Sequence, residues 1–347
     1  MSTYENLHLL SLSETIDLMK LLQDSRKVVI CAHRSPDGDA MGSTLAWAAY
    51  LRGLGKMVSV VLPNPCPDFL QWLPEANKVT YFDRHTQTAK QLIADADLIC
   101  CLDFNTLSRL QNMGECVASS HAKRLLIDHH LAPVLKEFDF AVSQPELSST
   151  SEIVFRLLLQ LGAYEGMSLD MATDIYCGLM TDTGNLAYSS SYPEIYEVIA
   201  LLVQKGIDKD RIYRNVYHSF SAWRLKLQGY VLYEKVKWLA EGRAAYFTLT
   251  REEMKRMHFI RGDGEGLVNM PLQVKGSRLS ISLREDTERD VVRVSLRSVD
   301  DFPCNRMAEE FFNGGGHMNA SGGELPFPIE DAVRTVERAV EAYKHLL

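Results

Sequence analysis

Short, continuous apolar runs alternate with amphipathic stretches over the first 130 residues. The runs are KVVICAH (27–33), MVSVVLP (57–63), KVTYF (78–82), DLICCLDF (97–104) and KRLLIDHH (123–130). Between them, SLSETIDLMKLLQD (11–24), AMGSTLAWAAYLRGLG (40–55), TAKQLIADA (88–96) and LSRLQNMGECVAS (107–119) carry helical apolar spacing. Ser11 and Glu14 make a capping-box pattern at the first of these helices. Strands that are apolar throughout and separated by helices predict a parallel sheet covered on both faces. From about Ser149 to Ala240 helical spacing dominates, ending in one long helical run over 210–239. RAAYFTLT (243–250), LSISLRE (279–285) and DVVRVSLRS (290–298) then alternate like strands of a half-exposed sheet, and an amphipathic helix closes the chain over 329–347. The expected architecture is α/β. A domain with a parallel sheet flanked by helices covers 1–200, a helical linker covers 201–238, and a smaller α+β domain with a mixed sheet covers 239–347.

Composition narrows the function. The 347 residues are 46% apolar and 24% charged with a formal net charge of −8, which argues against a protein that coats nucleic acid. A small phosphate ligand held by a local cluster or a metal stays open. The seven cysteines are odd in number and form no CxxC pair, so they read as reduced thiols of a cytoplasmic protein. The start of the chain lacks a basic stretch followed by an apolar block, and no apolar run approaches the roughly 18–20 residues that span a bilayer. A cytoplasmic location without a membrane anchor is expected.

Candidate chemistry collects at the strand ends. VVICAH runs into His33, Asp37 and Asp39, LICCLDF reaches Asp103, and RLLIDHH ends at Asp128, His129 and His130; Asp182 follows a helix in GLMTDTGNL. Each taken singly has a plainer reading as a helix cap or turn residue. In an open parallel sheet, however, the carboxyl ends of the strands share one edge where ligands bind. Aspartates gathered there without a cation would be strongly destabilising. Four aspartates with two histidines suit hard-to-borderline divalent ions such as Mn2+ or Mg2+ better than structural zinc. Two ions about 3.5–4 Å apart polarise a phosphoryl group and activate water. Asp103 is the candidate carboxylate to bridge them.

AHRSPDGDAMGS, CLDF, IDHH and GLMTDTG, in that order, resemble the four motifs of the DHH phosphoesterases, and SLRS followed by GGGHMNASGG resembles the DHHA1 domain that accompanies them. The motifs reach from about residue 28 to 323, and the simple two-domain plan looks most like the nanoRNase and pAp phosphatase type. The resemblance implies that His33 and Asp37 hold one Mn2+ and that Asp39, His129 and Asp182 hold the other. Asp103 would bridge the two, and Mg2+ or Co2+ are alternative ions. It implies further that Asp128 orients a histidine and that His130 faces the substrate phosphate or the nucleophile, so that Asp103, Asp128 and His130 form the catalytic group. Arg297, Ser298, Gly314, Gly315, Gly316 and His317 are implied substrate contacts. The implied substrates are short single-stranded RNA oligonucleotides and pAp, with no long duplex and no membrane; a homodimer is compatible with the apolar helical middle.

The residues of the second half read similarly on their own terms. Three successive glycines let a backbone approach an anion closely, and Arg284 is placed to grip a phosphate bidentately. Arg293 reads as solvated strand charge. Trp223, Tyr230, Tyr233 and Trp238, along the long helical run, read as packing residues. Rival functions are a standalone cyclic-dinucleotide or linear dinucleotide phosphodiesterase, a pyrophosphatase or exopolyphosphatase, a RecJ-like exonuclease and a non-catalytic nucleotide-binding module. The GGGH segment argues against the pyrophosphatase.

Overall fold

The computed structural model describes residues 4–260 and 262–347. The chain divides into a first unit through Ser219 and a second from Phe220 to Leu347.

In the first unit, β1 (Lys27–Cys31), β2 (Met57–Leu62), β3 (Thr80–Tyr81), β4 (Leu98–Leu102), β5 (Lys123–Asp128) and β6 (Phe140–Ser143) form one sheet. Its order is β3-β2-β1-β4-β5-β6 and every pairing is parallel. The strands are buried on both faces, which is why they read as unbroken apolar runs. Val28 and Ile30 pack toward α1 (Leu12–Asp24) and α2 (Gly38–Gly53), whereas Val29 and Cys31 pack toward α3 (Thr86–Ala94) and α4 (Asn112–Ser119). Ser11 caps α1 with the full capping box. The face that holds α1 and α2 also takes α5 (Thr150–Gln160), α6 (Leu169–Asp182), α7 (Pro193–Gln204) and α8 (Lys209–Tyr217).

Strand order fixes where a ligand can enter. The chain leaves β1 toward β2 and β3 on one side, and leaves β4 toward β5 and β6 on the other. The carboxyl ends of β1 and β4 therefore flank the topological switch point, where the connections part and leave a crevice.

In the second unit, β7 (Lys237–Leu239), β8 (Ala244–Leu249), β9 (Leu279–Glu285), β10 (Val291–Ser298), β11 (Gly315–His317) and β12 (Ala320–Pro326) form a sheet in the order β11-β12-β10-β9-β8-β7. Only the β8–β9 pairing is parallel, so the sheet is mixed. Along β10 the inward Val292, Val294 and Leu296 pack against α11 (Cys304–Phe311) and α12 (Ile329–Ala342). A smaller apolar cluster joins α9 (Ala222–Tyr230) to α10 (Arg251–Arg256).

The single helical run expected over 210–239 is broken. The α8 helix stops at Tyr217, and Ser221 starts α9 by accepting the Arg224 N–H. A five-residue π-helical turn, Val231–Lys235, leads into β7. Apolar spacing continues through the break, but the Ser219 and Ser221 hydroxyls bond to nearby backbone and end one helix while starting the next. Tyr233 is 88% exposed and Trp238 lies on β7, so neither packs as the helical reading expected. The stretch 107–119 is likewise a 3-10 turn, Leu107–Leu110, and then α4, divided at Gln111 by a left-handed φ of 50°.

Candidate metal centre

The acids and histidines of the first unit converge on the switch point. Asp37 caps α2, its Oδ1 accepting the backbone N–H groups of Asp39 and Ala40 at 3.1 Å each. That cap fixes one carboxylate oxygen and leaves Oδ2 3.8 Å from His33 Nε2. Asp103, just past β4, has φ of 64°, a left-handed conformation that aspartate tolerates better than most residues. Its Oδ2 lies 3.3 Å from His33 Nε2 and its Oδ1 lies 3.7 Å from His129 Nε2. His129 Nε2 is also 3.4 Å from Asp182 Oδ2, at the end of α6, and 4.0 Å from Asp39 Oδ2. His33, Asp37 and Asp103 form one group of ligand atoms within 4.8 Å of one another, Asp39, Asp103 and His129 form a second, and Asp103, Asp128 and His130 a third. Asp103 belongs to all three.

The outer partners set the histidine tautomers. His33 Nδ1 lies 2.8 Å from the Arg34 carbonyl and His129 Nδ1 lies 3.3 Å from the Leu147 carbonyl. A carbonyl only accepts, so both Nδ1 atoms carry the hydrogen and both Nε2 atoms are turned to the carboxylates. Asp128, fully buried, holds His130 Nδ1 at 2.7 Å; the histidine it orients is therefore His130.

The first turn of α5, which carries no acid or histidine of the motifs, completes the cluster. Asp39 is 1% exposed and both its oxygens accept amides from the first turn of α5, Thr150 N–H at 2.7 Å and Ser151 N–H at 2.8 Å. The Thr150 hydroxyl donates to Asp103 Oδ1 at 3.1 Å. The signal in the sequence was the Ser149-x-x-Glu152 helix start, which places amides at a helix N-terminus where an anion is stabilised.

Electrostatics test whether this set fits a cation. Among the described residues, no lysine or arginine forms an ion pair with Asp39 or Asp103. Burial pushes both carboxyls up, and their proximity to each other pushes Asp103 further. Burial opposes charge on His33, yet Asp103 and Asp37 raise it to about 10. His129 is raised too, against burial, by Asp39 and Asp103. His130 goes the other way, lowered by burial in spite of Asp128. Two buried carboxyls shifted up, beside two histidines shifted up by those same carboxylates, mark a cavity short of positive charge. The oxygen and imidazole donors fit a hard-to-borderline divalent cation.

The other predicted residues lie in the second unit. Arg284 on β9 has its guanidinium 5.4 Å from the Phe259 ring centre. Arg297 bonds to the Leu296 carbonyl, and Ser298 is buried with its hydroxyl donating to the Phe302 carbonyl at 2.8 Å. Gly315, Gly316 and His317 form β11, paired antiparallel with β12. A Cβ on Gly314 would stand 1.8 Å from the Gly322 carbonyl oxygen, so close strand packing already demands a glycine there. Arg293, expected as solvated charge, is ion-paired with Asp286 and Glu324.

The residues matched by the model of the DHH family, N-terminal domain, are 27–179, the segment that carries the sheet and most of these side chains. Over that segment the chain is a DHH-family domain, and the chain is a metal-dependent phosphoesterase. It is similar to the crystal structure of an exopolyphosphatase-related protein from Bacteroides fragilis, at 47% identity and a TM-score of 0.91, covering 97% of this chain and 98% of that one. It is 27% identical over 334 residues to the bifunctional oligoribonuclease and PAP phosphatase NrnA of Thermus thermophilus, covering 95% of this chain and 94% of that protein. The protein of the same name from Bacillus subtilis is 25% identical over 315 residues, covering 89% of this chain and 92% of that protein. Among the described residues, no helix is long and apolar enough to cross a membrane.

Proposed function

We propose that the chain is a two-metal phosphoesterase that hydrolyses very short RNA to mononucleotides and dephosphorylates pAp to AMP. The observation that carries the two-ion reading is Asp103, whose two oxygens face different histidines, His33 and His129. His33 and Asp37 would hold one cation, Asp39, His129 and Asp182 would hold the other, and Asp103 would be shared between them; Mn2+ is the favoured ion. The substrate class is taken from the relatives named as oligoribonuclease and PAP phosphatase.

Bound divalent ions supply Lewis-acid polarisation of the phosphoryl oxygen and a water of lowered pKa. The chain's own residues do the rest. Asp128 fixes the Nδ1–H tautomer of His130, so Nε2 is the nitrogen that meets the phosphate or the attacking water. Burial keeps His130 neutral near pH 7, the state in which Nε2 takes up a proton. Thr150 holds Asp103 and the α5 amides hold Asp39, so neither carboxylate swings as charge develops. Arg284, Arg297, Ser298 and Gly314–His317 supply the substrate contacts of the second unit. Catalysis belongs to 1–200 and substrate binding to 239–347.

The test is a set of parallel assays on the Mn2+-loaded protein. A 5′-phosphorylated RNA dinucleotide, pAp, cyclic di-AMP, pyrophosphate and polyphosphate are offered separately and the products resolved by chromatography. Mononucleotide from the dinucleotide, with phosphate from pAp, is expected. Turnover of cyclic di-AMP alone, or of pyrophosphate or polyphosphate alone, overturns the substrate but leaves the metal centre.

Loading the site should also release protons. His33, raised to about 10, carries a proton on Nε2 at pH 8 in the metal-free chain, and that nitrogen must give it up to ligate a cation. A group protonated when free and deprotonated when bound makes affinity rise with pH up to about 10. Titration calorimetry at pH 8 in buffers of different ionisation enthalpy will show proton release. Heats that do not depend on the buffer would exclude His33 as a ligand.

A further inference from the structure

Two sets of buried polar contacts, far apart in sequence, brace different donors of the centre. One begins two residues past β2. Asn64 is 1% exposed, and its Oδ1 accepts the Ser35 N–H at 2.6 Å. Its Nδ2 lies 3.2 Å from the Pro65 carbonyl, so both ends of the amide are engaged. Ser35 lies between His33 and Asp37 and has φ of 58°, a left-handed conformation that a serine leaves unless held.

The other set holds the segment Leu147–Ser151. This strap reaches three donors, His129 through the Leu147 carbonyl, Asp39 through the amides of Thr150 and Ser151, and Asp103 through the Thr150 hydroxyl. Glu152, fully buried, fixes the strap. Its Oε2 accepts the Ser148 N–H at 3.1 Å, the Ser148 hydroxyl at 2.7 Å and the Tyr192 hydroxyl, while Oε1 accepts Arg156 Nε and Nη2 at 2.9 and 2.6 Å. Tyr192 also accepts the Ser148 N–H at 2.8 Å and sits at the start of α7, in the chain that follows Asp182. A charge buried this deeply persists only when its acceptor positions are filled, as they are here.

We propose that these are positioning devices of unequal reach, Asn64 for the His33–Asp37 cation and the Glu152–Tyr192 strap mainly for the Asp39–His129–Asp182 cation, with the Thr150 bond to Asp103 as the strap's one link to the first ion. The proposal rests on the two-ion reading above. None of Asn64, Glu152 and Tyr192 ligates an ion in that reading; each acts through the donors it braces.

Mn2+ titrations of the full metal-free chain, read by calorimetry and by the paramagnetic resonance of free Mn2+, separate the two. Asp182→Asn and Asp37→Asn serve as one-ion backgrounds. In Asp182→Asn, adding Asn64→Ala should weaken the remaining ion by about 10–100-fold, the usual cost of losing an outer-shell partner, and Tyr192→Phe should weaken it clearly less, because the strap reaches that ion through Asp103 alone. In Asp37→Asn the two substitutions should exchange effects. Ser35→Gly added to Asn64→Ala should recover part of the loss, because glycine takes the left-handed conformation without strain. A purely structural role for Asn64 would show no such rescue. Should Asn64→Ala lose the fold, the Ser35→Gly pair and Tyr192→Phe alone carry the comparison. Wild-type protein that does not bind two ions overturns the functional reading itself. Wild-type protein that binds two, with variants that weaken both ions alike or neither, overturns the separate supports.

Discussion

Asp103→Asn is expected to abolish turnover while changing the stability of the metal-free chain little. The carboxylate is buried at 2% exposure, crowded by Asp39, and burial pushes its carboxyl well up. Asparagine keeps the acceptor for Thr150 and tolerates the left-handed φ, but it gives up the carboxylate that pairs with His33 Nε2. It relieves the crowding against Asp39 and at the same time removes the partner that holds the proton on His33, two effects of opposite sign. A bridging ligand is worth several kcal/mol of charge stabilisation in the transition state, on the order of 10³-fold in rate. Melting curves with and without Mn2+ will check it. The wild type should rise on loading, by ligand linkage, and Asp103→Asn should not. A variant that melts far lower without metal would make Asp103 a fold residue instead.

Gly178→Ala should lower both the stability of the first unit and its affinity for a cation. In an ordinary helix interior, alanine for glycine stabilises by about 0.5–1 kcal/mol. Here α6 passes α2 and α5 so closely that the added Cβ would stand 2.0 Å from Ser151 Oγ and 2.9 Å from Asp39 Oδ1. Real side chains do not approach so closely, so α6 must move or the strap must yield. Overpacking of this kind costs about 1–3 kcal/mol. For a unit of this size that lowers Tm by about 2–4 °C per kcal/mol. Because the clash falls on Asp39 and on the residue whose amide holds it, Mn2+ affinity should fall too. Urea unfolding with parallel metal titrations is the measurement, and an increase in stability would show that the helices are not packed this way.

Much of this arrangement was legible in the sequence because it rests on local signals. Unbroken apolar runs between amphipathic stretches announced a covered parallel sheet, and the acids at the ends of three runs announced one shared edge. What stayed hidden depends on long-range contacts. Nothing local in Ser149–Glu152 distinguishes an amide cradle for Asp39 from an ordinary helix cap, because the difference lies in what docks against it. Asn64 in VLPNP reads as a turn residue; its value comes from Ser35, on another connection. The breaks at Gln111 and between Tyr217 and Ser221 were missed because apolar spacing runs on through them. Arg293 looked solvated because its partners, Asp286 and Glu324, lie on a turn and a neighbouring strand.

The donors come from the end of β1, the start of α2, the ends of β4 and β5, and the last residue of α6. No early intermediate holds them together, since non-local pairings form only after loop closure has been overcome. A cation therefore has little to bind until the first unit is assembled, and its binding energy falls on the native side of the folding barrier. It acts as a latch on a finished structure, slowing unfolding far more than it speeds folding. A loaded chain would thus gain persistence: opening of the sheet edge, and any cleavage that depends on that opening, would have to wait for the cation to leave.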